Sequence, residues 1–213
     1  EKMQVYFIQF TYNKNGKFHN DAVTYEDVLK TLNTEIQKWK TAVQLEMENI
    51  IEYLFKITGE GSFVSVVNTA KNEDLEKLIG LLPVHYEVTV TPLRRIENLA
   101  SSITKLDQSI LDGLPGPQID SNKTAMWMDV SYGYQGRTFE EFRHIWKEEA
   151  RVVLGGIAKG DFLGTLYKVA GVKRLLAFVQ MDHEALDDLS WTLPLFTSLG
   201  DQVNNVVKSV VSV

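Results

Sequence analysis

The chain has no cysteine, which removes disulfide frameworks, thiolate nucleophiles, zinc ribbons and iron–sulfur ligation together. It also has no basic cluster. The net charge is −6, and Arg94-Arg95 and Lys173-Arg174 stand as isolated pairs. A nucleic acid or an anionic membrane bound through a basic face is therefore not expected. No apolar run reaches membrane-spanning length, and no signal-peptide pattern opens the sequence. A cytoplasmic location is the expectation. The opening Glu1-Lys2-Met3 leaves a removed N-terminal targeting segment as the alternative. Histidine is scarce at four residues, and none pairs with another ligand at metal-binding spacing. Phosphate loop, dinucleotide fingerprint and nucleophile elbow are all missing, and no metal is expected. The one glycosylation triplet, Asn122-Lys123-Thr124, is of a kind that arises often by chance.

What remains is an ordinary globular composition, 44% hydrophobic and 23% charged over 213 residues. That is enough for one large domain or two small ones. Residues 4–12 are rich in aromatic and β-branched side chains and predict a strand closed by a turn at 13–16. Thr24 before Tyr25-Glu26-Asp27 is an N-cap with an acidic first turn. Tyr25, Val28, Leu29, Leu32, Ile36, Trp39 and Val43 follow at helical spacing, to a stop near 48–49. Residues 50–58 and 62–68 predict a hairpin about Gly59-Glu60-Gly61. A short helix then ends at Pro83, and 86–91 alternates as a strand. The order is β-α-β-β-α-β.

The same order returns. Residues 125–134 predict a strand, and Thr138 with Glu141 a capping box. Phe139, Phe142, Ile145, Trp146, Val153 and Ile157 form the helix stripe. Residues 162–170 and 173–180 predict a hairpin about Gly171, 184–193 a short helix, and 202–213 a last strand. Gly16 matches Gly136, Thr24 matches Thr138, Lys56 matches Lys168, Gly59 matches Gly171 and Pro83 matches Pro194, at separations that drift from 120 to 111. Length changes of that size collect in turns and helix ends. The expected fold class is α+β, with one unit over 1–97, a connecting segment over 98–122 and a second unit over 123–213. Within the connector, Ile103, Leu106, Ile110, Leu111 and Leu114 predict a short amphipathic helix, followed by a loop at 114–117.

Leu166-Tyr-Lys-Val-Ala-Gly171, with Glu184-Ala-Leu186 leading to Leu193-Pro-Leu-Phe196, resembles the muconolactone isomerase family. Leu54-Phe-Lys-Ile-Thr-Gly59, Glu73-Asp-Leu75 and Leu81-Leu-Pro83 match more loosely, with Val84-His85 where the second copy has Leu195-Phe196. The resemblance implies two tandem ferredoxin-like units whose antiparallel sheets pair within the chain as a dimeric α+β barrel. Further assembly into a homo-oligomer is then optional. It also implies a cofactor-free proton shift on a small lactone or enolisable carbonyl compound, by an isomerase or cyclase. The wider superfamily leaves two alternatives open, a monooxygenase and a non-catalytic barrel that binds a small ligand or partner.

Proton transfer next to a carbonyl needs a group that serves as base and acid, with donors for the developing enolate oxygen. Alternation places Phe7, Gln9 and Thr11 on one face of the first strand, and Trp127, Asp129 and Ser131 on the matching face of its counterpart. Tyr6, Ile8, Phe10 and Tyr12, matched by Met126, Met128, Val130 and Tyr132, should pack on the helices. Asp129, a carboxylate in the apolar run Met126-Trp-Met-Asp-Val130, is the expected acid/base, because burial would raise its pKa. A structural hydrogen bond is its ordinary alternative. Phe7, Gln9, Trp127 and Ser131 are the expected substrate-binding residues, with Lys168, Tyr167 and His85 assisting. For each of these three a plainer role exists: a strand-end cation, aromatic packing and a structural imidazole. His144 is expected to be exposed, His183 to sit at a helix start and His19 in a loop. In a haem enzyme of the superfamily, only His85 or His144 would compete for the iron.

Overall fold

The computed structural model describes residues 2–13, 24–116 and 119–213. The turn predicted at 13–16, apart from Asn13, and His19 lie outside them, as does part of the loop at 114–117. The fold is mixed α+β. Its eight strands hydrogen-bond in the order β1-β3-β2-β8-β5-β7-β6-β4 and close into a barrel. The chain divides into two compact units, one of Glu1–Leu93 with Val210–Val213, the other of Arg94–Ser209.

The first unit runs β1 (Gln4–Tyr12), α1 (Tyr25–Glu46), β2 (Ile51–Ile57), β3 (Ser62–Thr69), α2 (Asn72–Gly80) and β4 (Tyr86–Arg95). β1 lies antiparallel between β3 and β4, and β2 covers the outer edge of β3. The far side of β2 is closed by Val210, Val211 and Ser212, opposite Ile57, Lys56 and Phe55. Period-two alternation in β1 turns Ile8 and Phe10 onto Leu32, Ile36, Trp39 and Val43 of α1 and onto Leu75 and Leu78 of α2. Thr24 caps α1 reciprocally, its side chain accepting from the Asp27 amide while the Asp27 carboxylate accepts from the Thr24 amide. Trp39 Nε1 donates to the Leu78 carbonyl at 3.0 Å, which ties α1 to α2. The opposite sheet face is also buried, through Phe7, Phe55, Val64 and Val66.

The second unit opens with α3 (Ile96–Leu99), a π-turn over Ala100–Thr104 and α4 (Gln108–Asp112). It continues through β5 (Ala125–Tyr132), α5 (Phe139–Lys159), β6 (Leu163–Val169), β7 (Arg174–Gln180), α6 (His183–Thr192), α7 (Pro194–Leu199) and β8 (Val203–Ser212). β7 pairs antiparallel with β5 and β6. Met126, Met128, Val130 and Tyr132 face Phe142, Ile145, Trp146 and Leu154 of α5, as the alternation predicts. The capping box at Thr138 and Glu141 forms. In both hairpins the turn glycine has a left-handed backbone, φ +79° at Gly59 and +77° at Gly171, a conformation that other residues enter only at a cost.

Two segments depart from the sequence reading. The connector does not form one amphipathic helix. It breaks at Lys105 (φ +50°), where the Leu106 amide reaches back to the Ala100 carbonyl at 3.1 Å and the Leu106 side chain is buried in the core. Beyond Leu193 a separate helix, α7, starts with Pro194 at its first position, where a missing N–H costs nothing.

α7 also accounts for Glu149 of α5. No other carboxylate or cation among the described residues is as deeply buried, and its Oε2 accepts the Leu195 amide at 2.9 Å. Burial pushes its pKa up from 4.5 to about 7, opposed only in part by that hydrogen bond. The native state thus keeps this proton to higher pH than the unfolded chain does. The associated stability is complete below the unfolded value of 4.5 and is lost as pH rises through about 7. Glu149→Gln should therefore be more stable than the parent above neutral pH, by about 1–3 kcal/mol. The gain should shrink toward zero in acid, as read from urea unfolding at both ends of the range.

Candidate functional site

In the first unit a cleft of about 460 Å³ opens between α1, the end of β1 and the β2–β3 turn. Tyr25, Val28, Leu29 and Leu32 form its helix wall, and Thr11, Tyr12 and Ser62 its strand wall. The stripe that buries Leu32 in the core leaves Tyr25, Val28 and Leu29 toward the start of α1 to face the cleft. Tyr25 Oη donates to the Gly59 carbonyl at 2.9 Å and fastens the helix start to the turn.

Tyr12 connects this cleft to an imidazole. Its ring lies 5.7 Å from the His85 ring in an edge-on arrangement. His85 Nε2 is 2.8 Å from Glu35 Oε2, and Tyr86 Oη donates to the same oxygen at 3.3 Å. Both partners of the His85–Glu35 pair are largely withdrawn from solvent, at 20% and 25% side-chain exposure. Burial, then the Glu35 charge, raises the Tyr86 pKa, so its hydroxyl stays a donor. In the tautomer that donates Nε2–H to Glu35, Nδ1 carries the lone pair. Carboxylate, imidazole and phenol together are the parts of an acid/base group.

Phe7 and Gln9 lie on the sheet face turned away from the first unit's helices, Phe7 buried and Gln9 half-buried. In the second unit Trp127, Asp129 and Ser131 share the corresponding face, running from buried to half-buried to exposed. Asp129 is clamped by Arg174, which donates Nε to Oδ1 at 2.7 Å and an Nη to Oδ2 at 2.6 Å. The two strands explain the clamp. Ser131 stands opposite Arg174, so Arg174 is the diagonal neighbour of Asp129 on one face. Hydrogen bonding to the carboxylate raises the Arg174 pKa. Asp129 is thus held as one half of a bidentate ion pair, the structural alternative raised for it above.

Tyr167 is fully buried on that same side of the sheet, with the Arg95 guanidinium 5.7 Å from its ring centre. Lys168 points to the helix side and caps its own strand end, donating to the Val169 carbonyl at 2.7 Å and to the Val172 carbonyl. Burial lowers the pKa of Lys168 and of its counterpart Lys56. The predicted residues are therefore not gathered in one place within a unit. His85, Phe7 and Gln9 belong to the first unit, Asp129, Tyr167, Lys168, Trp127 and Ser131 to the second.

Glu35, the carboxylate that meets His85, escaped the sequence reading, because fifty positions separate the two and nothing local links them. Arg174 was legible in principle, since strand pairing and parity put it diagonal to Asp129. No group of three or more metal-ligating side chains occurs among the described residues. A haem iron needs an axial ligand such as histidine. Of the described histidines, His85 is held by Glu35, while His144 and His183 are exposed on their helices. Among the described histidines only His85 is withdrawn from solvent, so it is the one imidazole that could serve as an axial ligand.

No protein-family model matches the sequence, and no curated protein is similar to it. Solved structures are similar in fold. A variant of chlorite dismutase from Candidatus Nitrospira defluvii superposes with a TM-score of 0.62 at 11% identity, covering 98% of this chain and 91% of that one. The imidazole complex of the same enzyme gives 0.59 at 10%, covering 98% and 90%. A candidate monooxygenase from Lactobacillus acidophilus gives 0.53 at 11%, covering 99% and 94%. These likenesses bear on the fold, a mixed α+β barrel. They carry the fold alone and do not single out muconolactone isomerase.

The Asp129–Arg174 clamp has a measurable consequence. Asp129→Asn and Arg174→Gln should each destabilise the fold by about 1 kcal/mol, a modest figure because both groups are partly solvated. In a double-mutant cycle the pair should couple by a similar amount, so that the double variant loses less than the sum.

Proposed function

We infer that the chain is a small-molecule enzyme acting by proton abstraction, with His85 as the base and Glu35 as the group that orients it. The observation that carries this reading is the 2.8 Å His85–Glu35 contact beside a cleft that shares Tyr12 with it. A substrate of enolisable or quinol type would lie against Val28, Leu29 and Leu32, its acidic proton directed past Tyr12 to the imidazole. The limited exposure of the pair reduces the competition of water for the base. Chlorite dismutase-like proteins bind haem; here we assign His85 to proton abstraction instead. The chemistry we assign is accordingly cofactor-free oxygenation. A deprotonated, electron-rich substrate supplies the electrons to dioxygen, in line with the monooxygenase-like neighbour. Return of the proton to a second carbon, an isomerisation, is the related outcome at the same base.

We read the repeated β-α-β-β-α-β order as a tandem ferredoxin-like duplication, supported by the matching turn glycines and capping boxes. On this reading the second copy has lost free acid/base chemistry at Asp129, and Lys168 and Tyr167 serve as strand-end and packing residues. The apolar lining of the first-unit cleft also favours a second reading, a non-catalytic carrier of a small apolar ligand.

Oxygen uptake and product formation over a panel of quinols and enolisable lactones separate these readings. Under the enzyme reading, His85→Gln lowers kcat by about 10²–10⁴-fold with little change in KM, and Glu35→Gln by a smaller factor. Asp129→Asn leaves turnover unchanged once folding is verified. Ligand binding in the cleft without any turnover would establish the carrier, and an unaffected His85→Gln would remove the base.

A further inference from the structure

The backbone breaks on both sides of α7. Leu193 leaves α6 in an extended conformation (φ −65°, ψ 130°) before Pro194 starts the next helix, and Gly200 follows it at φ +54°, ψ −126°, a conformation that favours glycine. Between these breaks α7 is held by Leu195 and Leu199, both buried in the core, and by one polar contact to α5. Its own cap residue, Leu193, has no side-chain acceptor to offer. Pro194 brings no N–H, so the first helical amide in need of a partner is that of Leu195. Glu149 Oε2 supplies it at 2.9 Å from 46 positions away. A residue of another helix thus does for α7 what Thr24 and Thr138 do for α1 and α5 from the adjoining position.

A carboxylate is an unusual choice for that task, because no cation accompanies it into the core. α7 has no titratable side chain, and neither has the π-turn that packs on α5. α4 brings Asp112 and, at its cap, Asp107, which lies 3.8 Å from Arg151. On α5 itself Arg151 is held by Glu148 at 2.7 Å and Arg143 by Glu140 at 2.6 Å. On the sheet side burial keeps the Tyr132 phenol neutral, and Lys168 is taken up by the Val169 and Val172 carbonyls. His183, Glu184, Asp187 and Asp188 of α6 are exposed. Among the described residues, burial and the Leu195 amide are what act on the Glu149 proton. An ionised carboxylate in such surroundings costs more than one amide offsets, so the group stays neutral or water must reach it.

We propose that protonated Glu149 latches α7 onto α5, and that its ionisation lets α7 swing out on the breaks at Leu193 and Gly200 while the rest of the unit stays folded. Phe196 and Thr197 of α7 line a cleft of about 300 Å³ with Asp187, Ser190 and Trp191 of α6. The swing removes one wall of that cleft, which makes its shape depend on pH. The inference does not depend on the first-unit chemistry, because every residue in it belongs to the second unit.

Native-state hydrogen exchange of the full chain at low urea tests this, followed amide by amide across the pH range and corrected for base catalysis of exchange itself. The amides of Leu195 to Leu199 should open more readily than those of α5 and β7, with an opening constant that hardly responds to urea, the mark of a local event. That constant should be lowest below the free carboxyl value of 4.5 and rise on the order of a hundredfold toward about 7. It should level above that, where Glu149 is ionised in both states. Glu149→Gln keeps an acceptor for the Leu195 amide but has no proton to lose, so its α7 opening should be low and independent of pH. Unchanged protection in α5 and β7 verifies that the variant is folded. The proposal is overturned if the parent profile is flat, if α7 shares the protection and urea dependence of α5 and β7, or if the pH response persists in Glu149→Gln.

Discussion

Burial on both faces is the constraint from which most of this structure follows. β3 and β7 are almost wholly inaccessible along their length, and so is the first half of β5. A strand in that position has no solvent side on which to place a polar group. The polar groups admitted there are tied down. Ser65 Oγ donates to the Tyr53 carbonyl at 2.8 Å, and Asp129 is matched by two guanidinium nitrogens. Gln180, at the end of β7, exchanges hydrogen bonds of 2.8 Å in both directions with the backbone of Asp120. Each arrangement meets the requirement that buried polar atoms be paired.

The same constraint explains where reactive groups can be found. The sheet face turned away from the helices looks like a site in sequence, since it collects Gln9, Asp129 and Ser131. In the folded chain it is occupied by large apolar side chains and by a clamped ion pair. Among the described residues, open clefts lie between the helices and the sheet of each unit. In the first unit the amphipathic stripe of α1 runs out near the helix start, and the packing opens into a cleft. His85 stands just before β4, where a side chain can leave the sheet and meet Glu35 from the neighbouring helix.

How far the sequence discloses this depends on the range of the interaction. Features set by a few neighbouring residues were readable: the β1 alternation, the Thr138–Glu141 cap, and the glycines that turn both hairpins. The faces of β1 and β5 followed from parity alone. The break at Lys105 did not, because the apolar spacing through Ile103, Leu106 and Ile110 is compatible with a continuous helix. Only the burial of Leu106 selects the interrupted one. α7 was hidden in a Leu-Pro pair that reads equally as a stop or a start. Among the site residues, Asp129 was recognised as unusual for a sound reason, but its partner depends on the register between β5 and β7. The Glu35–His85 contact depends on how α1 packs, and no local pattern encodes that.

The last strand has a consequence for how the first unit comes into being. Val210, Val211 and Ser212 complete the open side of β2, and the Val213 carbonyl accepts from Lys40 Nζ at 2.5 Å. Residues 2–93 therefore cannot finish their own sheet from within. Their β2 edge is an unpaired template until Val210–Val213 arrive, and such an edge invites adventitious strand pairing. The closing contact joins positions separated by most of the sequence, so its loop entropy is settled late and it belongs to the slow part of folding. Synthesis from the N-terminus thus produces the first unit early and completes it last.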